Sequence, residues 1–135
     1  RKAFYAALSK DAALETLLGG KKIFASVPPA TQPPYVSFGA ARLSLWSGGS
    51  QMGHKHQIAL DLWSQQKGDV ELLGLAERIA QILSTPVQAQ GLAVLQCYVE
   101  ALTCHVPQAD GFRQATLDVC ILTETQGEGA LPTGQ

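Results

Sequence analysis

The segment HKHQIALDLW, His54 to Trp63, alternates with a period of two, the pattern of a strand with one face turned to a core. His54, His56, Ile58, Leu60 and Leu62 fall on one face, and Lys55, Gln57, Ala59, Asp61 and Trp63 on the other. Upstream, Tyr35 to Trp46 (YVSFGAARLSLW) reads as a second long strand, with Gly39 a bulge site. Ser47 to Gly53 holds three glycines and little that can pack, so it is expected to be an exposed loop joining the two strands into a hairpin. Trp46 and Trp63 flank that hairpin, where an aromatic cross-strand pair would fix register.

The remaining pattern fills in around this hairpin. Phe4, Leu8, Leu14, Leu17 and Leu18 among alanines suit an N-terminal helical segment, with Ser9 able to cap a new turn. Gly19 and Gly20 close it. Lys22 to Val27 is a short strand, and the prolines at 28, 29, 33 and 34 hold an extended connector. Asp69 is placed to cap a helix whose apolar stripe is Leu72, Leu73, Ala76, Ile79, Ala80 and Leu83, ended by Ser84-Thr85-Pro86. Leu92 to Val106 and Phe112 to Thr123, joined by PQADG, form a closing antiparallel hairpin. The order is helix, three strands, helix, two strands. That predicts an α+β fold, a mainly antiparallel sheet of about five strands with the N-terminal helical segment and one central helix packed on one face. Residues 1–124 read as one domain and 125–135 (TQGEGALPTGQ) as a flexible tail with almost nothing to bury.

With 135 residues, 46% apolar and 16% charged, the composition is that of a globular domain with one core. The longest apolar runs are far short of the roughly 20 residues needed to span a bilayer, and no secretory signal pattern opens the chain, so a cytosolic fold without membrane contact is expected. A start at Arg1 rather than methionine reads as a trimmed or processed terminus. Cys97, Cys104 and Cys120 form no CxxC pair and read as reduced thiols. A net charge of −1 does not suit specific nucleic-acid binding. Its distribution is uneven. Up to Leu60, seven bases face two acids, a balance of +5; from Asp61 on, three bases face nine acids, a balance of −6. Such a division suits a subunit that meets copies of itself head to tail, with Arg42, Lys55, Asp61, Glu100 and Asp118 as candidates for charges at that interface.

Catalytic patterns are missing from the sequence. There is no GxSxG, GxGxxG or GxxxxGK[ST]. Cys104 and His105 are neighbours on a strand and point to opposite faces, which separates nucleophile from base. His54 and His56 share a face and could reach one ion with His105 as third ligand, but no carboxylate accompanies them on that face. No metal and no cofactor are therefore expected, and a small oligomeric enzyme or metal-binding protein using His54, His56 or His105 is the rival reading.

Element order and local patterns together carry a resemblance. ALSKDAALETLLGGKKIF, then a proline connector into PPYVSFGA, then HQIALDLWS followed by LLGLAERIAQIL and a closing hairpin, resemble the tail-completion or tail-terminator proteins of long-tailed bacteriophages and phage-like gene transfer agents. The resemblance runs from about Leu8 to Leu122, and its most specific parts are the proline before Tyr35 and the passage from Leu60 to Leu83. It implies a non-enzymatic structural protein of a virion or phage-like particle, assembled in the host cytoplasm and placed at the tail–neck junction. The implied assembly is a homo-oligomeric ring, typically of six subunits, that caps the tail tube, meets the head–tail connector or stopper protein, and leaves a passage for DNA. A stopper or connector protein is the alternative within that class. The stretch Trp46, Ser47, Gly48, Gly49, Ser50, Gln51, Met52, Gly53, His54 and Lys55 is then the candidate contact with a partner or the pore.

Overall fold

A computed structural model describes residues 2–48, 51–84, 93–107 and 109–124. Gly49, Ser50, the Thr85-Pro86 stop and the expected tail 125–135 lie outside these residues. The described chain runs α1 (Lys2–Ser9), α2 (Ala12–Leu18), β1 (Ile23–Phe24), β2 (Tyr35–Gly48), β3 (Gln51–Ser64), α3 (Val70–Leu83), β4 (Ala93–Cys104) and β5 (Arg113–Glu124). The expected α+β order is present. Five strands form one sheet in the order β1-β2-β3-β5-β4, with β1 parallel to β2 and every other pair antiparallel.

The helices lie on one side of this sheet. Phe4 and Leu8 of α1, Leu14 and Leu18 of α2, and Leu72, Leu75, Ile79 and Leu83 of α3 meet Val36, Ile58, Leu60, Leu62, Ala115, Leu117 and Val119 from the strands in one core. Burying an aliphatic side chain of this size is worth about 1.5–3 kcal/mol, so this cluster is what fixes helices to sheet. The helical stripe differs from expectation: Leu73 and Ala80 lie on the solvent side, and Leu75 takes a place in the core. Leu75 faces the core while Leu73 is 51% exposed, because at 100° per residue Leu72, Leu75, Ala76, Ile79 and Leu83 define the narrower face.

Helix ends differ from the sequence expectation for identifiable reasons. Asp11, rather than Ser9, caps α2: its Oδ2 accepts from the Leu14 amide at 2.8 Å. The same carboxylate accepts twice from Arg78 of α3, from Nη2 at 2.6 Å and Nε at 2.9 Å, and so ties the two helices together. Asp69 stands at the N-cap of α3 but makes no side-chain cap bond; its carboxylate takes Arg113 of β5 at 3.3 Å instead. Gly19 ends α2 at φ 77°, the left-handed conformation expected of it. The first strand is shorter than Lys22 to Val27, since only Ile23 and Phe24 find register partners, Val36 and Ser37.

Candidate functional site

The hairpin β2–β3 dominates the sheet. Fourteen residues in each strand at about 3.3 Å per residue span roughly 46 Å, whereas the fourteen residues of α3 at about 1.5 Å cover roughly 21 Å. Among the described residues no helix is long enough to roof the hairpin by itself. The bulge expected at Gly39 is there: register slips between Phe38 and Ala41, one residue extra on β2, and both sides of the slip keep their apolar residues on the helix side.

Past the bulge the ladder continues without a long loop. Leu43 pairs with His56, Leu45 with His54, Trp46 with Gly53, Ser47 with Met52 and Gly48 with Gln51. The described residues of the predicted Ser47–Gly53 loop are thus two facing strand ends, because backbone pairing wins over weak local preference once the flanking register is set. On the helix side of this far end stand Leu43, Leu45 and Met52, exposed by 60%, 71% and 57%, and on the same face the rings of His54 and His56 lie 6.2 Å from each other. Partial burial lowers the His56 pKa, and the neighbouring His54 adds to the effect. Its Nε2 lies 3.4 Å from Thr123 Oγ1.

The opposite side of the far end is held by an indole. Trp46 reaches from β2 across β3 and donates from Nε1 to the Thr123 carbonyl on β5 at 3.1 Å. It passes over Gly53, where any Cβ would collide with the Thr123 carbonyl oxygen and with the indole itself. Only glycine leaves room for that crossing. Trp63 does not pair with Trp46. It stacks on Tyr35 at 5.7 Å and donates to Ser37 Oγ at 3.2 Å, ten steps down β3 at the hairpin base.

All five charge candidates lie on this second, helix-free face. Lys55 Nζ approaches Glu100 at 3.7 Å, and Gln57 donates to the same carboxylate at 3.2 Å. Asp61 accepts from Thr116 Oγ1 at 3.0 Å, and Thr116 in turn meets His105 Nε2 at 2.8 Å. Arg42 and Asp118 make no ion pair among the described residues. The structure therefore brings Lys55 and Glu100 together within the chain and leaves Arg42 and Asp118 facing outward.

The three histidines do not converge. His105 belongs to the helix-free face, its amide bound to the Gln114 carbonyl, whereas His54 pairs with Thr123 on the other side, nine residues further along β5. Nine steps at about 3.3 Å are roughly 30 Å, so His105 cannot be a third ligand beside His54 and His56. Among the described residues no group of three His, Cys, Asp or Glu could hold an ion. Burial pushes the Cys97 thiol up to about 11, with Cys120 adding to the shift, which suppresses its thiolate near neutral pH. The exposed leucines and the Gly53 crossing are what sequence reasoning missed. Leu43 and Leu45 alternate with Ser44 and Trp46, which gives the face they share but neither their exposure nor the crossing over Gly53.

The family model of tail completion protein gp17 matches residues 2–124. The chain belongs to this family, and with it to the structural proteins of phage-type tails. It is also similar to a chain in the solved "virion of native gene transfer agent (GTA) particle", with a TM-score of 0.78 at 19% identity over 91% of this chain and 92% of that one. No curated protein matches.

Proposed function

We propose that this chain is a tail-terminator subunit: six copies form a ring that caps the finished tail tube and joins it to the head–tail connector in a virion or phage-like particle. The observation that carries the reading is the hairpin, which outruns its own helix layer and presents Leu43, Leu45 and Met52 uncovered at its far end. An apolar strip left uncovered next to a packed core calls for a partner, and family membership supplies the setting. Trp46 to Lys55 then form the contact with a neighbour, the tube or the pore, and Arg42 and Asp118 add charge at the subunit boundary. The protein acts without a cofactor, by shape and adhesion, within particles assembled in the host cytoplasm.

The test is complementation in a producer strain lacking the protein. Heads and tails should accumulate unjoined, and the wild-type chain should restore joined particles counted by electron microscopy. Normal joining in its absence would overturn the reading. Ring formation should also weaken with salt, since exposed charges are screened over about 8 Å at physiological ionic strength.

A further inference from the structure

We infer that the uncovered strip of the hairpin (Leu43, Leu45 and Met52, flanked by His54 and His56) receives the outward face of α3 from a second copy of this chain. The inference rests on the ring reading above and names the surfaces that would build the ring.

The strip is the continuation of a face already built to hold helices. Register carries it directly from Ile58 opposite Ala41 to His56 opposite Leu43, His54 opposite Leu45 and Met52 opposite Ser47. Below Ile58 this face is roofed by the chain's own helices; beyond it Leu43, Leu45 and Met52 are exposed, while His54 and His56 are half-buried and Thr123 beside them is buried. Such a half-roofed face fits a further helix with an apolar line.

The same chain carries that line. Val70, Leu73, Glu77 and Ala80 follow one another at helical spacing on the solvent side of α3, with Val70 and Leu73 exposed by 79% and 51%. Gly74 beside them has open space where a Cβ would stand, so a facing surface can come close. From Val70 to Ala80 the line is about 15 Å long, and the strip from Leu43 to Ser47 is about 13 Å. Polarity agrees as well. Glu77 is the only charge on the line and has no partner among the described residues, while the strip offers two imidazole rings able to donate a hydrogen bond and no carboxylate.

One chain cannot satisfy both surfaces by itself. The inner face of α3 is already fixed to the sheet through Leu72, Leu75, Ile79 and Leu83, so its outward line can meet a strip only on another copy. Strip and line are different patches, so the contact is head-to-tail, and it leaves each end of a pair open for the next subunit. Repetition with closure gives a ring.

The full chain is compared with Leu45→Asp and Leu73→Asp, both at exposed positions, by sedimentation alone and on purified tail tubes, with circular dichroism to confirm folding. Each variant alone should associate at least about tenfold more weakly than wild type. An equal mixture should form pairs that stop at two, because Leu45→Asp keeps its helix line and Leu73→Asp keeps its strip. Rings from either folded variant as readily as from wild type would overturn the inference while leaving the ring reading intact. A mixture that forms no pairs, or a Leu45→Asp protein that self-associates normally but fails to bind tubes, would also overturn it, the latter by assigning the strip to the tube protein. Wild type that stays monomeric even on tubes would remove the ring reading and the inference together.

Discussion

Leu60 and Leu45 sit on the same hairpin and the same face of the same sheet, yet one is fully buried and the other 71% exposed. Near its base the hairpin is core: Leu60 lies opposite Phe38 and Leu117, Leu62 opposite Val36 and Ala115, and helices close over all of them. Toward its tip the alternation continues while the roof ends. Period-two patterning therefore specifies which way a side chain points, and only the length of the covering elements decides whether it is buried there.

The largest test of this difference is Leu60→Ala. A cavity under a complete helix layer should lower unfolding free energy by about 2–5 kcal/mol in chemical denaturation, and an equal loss from Leu45→Ala would break the comparison. Next comes Gly53→Ala, in the exposed half. Its methyl group must displace the Trp46 indole and the Thr123 carbonyl, so a loss of about 1–3 kcal/mol is expected, visible as a lower thermal midpoint. A neutral result would mean that the far end is not held rigid by the indole crossing.

Asp11→Ala probes the roof itself. It removes the cap of α2 and the acceptor for Arg78, and the loss of the cap alone should cost about 0.5–2 kcal/mol. The hydrogen bond from Arg78, opposed in part by burial and aided by the Leu14 amide, holds the Asp11 carboxyl below its ordinary pKa. Unfolded Asp11 titrates higher, so its contribution is complete above the ordinary carboxylate range and is lost as pH falls through the lowered native value. The gap between wild type and Asp11→Ala should accordingly narrow in acid in denaturation curves recorded across that range. The smallest effect belongs to Leu45→Ser, expected within about 0.5 kcal/mol of wild type for the isolated subunit. A larger loss in a dilute monomer would show that the chain covers its own strip.

Much of this architecture was legible in the sequence because it rests on local periodicity. The strand alternation from His54, the glycine stop at Gly19 and the bulge at Gly39 each follow from residues within a few positions. Choices between competing partners were not legible. Asp69 could cap α3 or meet Arg113, and Asp11 could serve one helix or two; the answer depends on elements more than forty residues away. Ser47 to Gly53 misled for a related reason. Glycine and serine argue for a loop when read alone, but the register set by Leu60 and Leu62 extends the ladder as far as Gly48 and Gln51. The surface of the contact proposed around Trp46 to Lys55 was not legible, since Leu43 and Leu45 look like core until the reach of α3 is measured against the hairpin.

The two tryptophans also give the unmodified protein a pair of built-in optical reporters. Trp46, its indole spread over Gly53, and Trp63, stacked on Tyr35, are separated by ten residue steps of β3, roughly 33 Å at about 3.3 Å per step. Replacing either with phenylalanine isolates the emission of the other. A change in colour or quenching confined to Trp46 would register an encounter at the far end of the hairpin, while Trp63 continued to report on the integrity of the base.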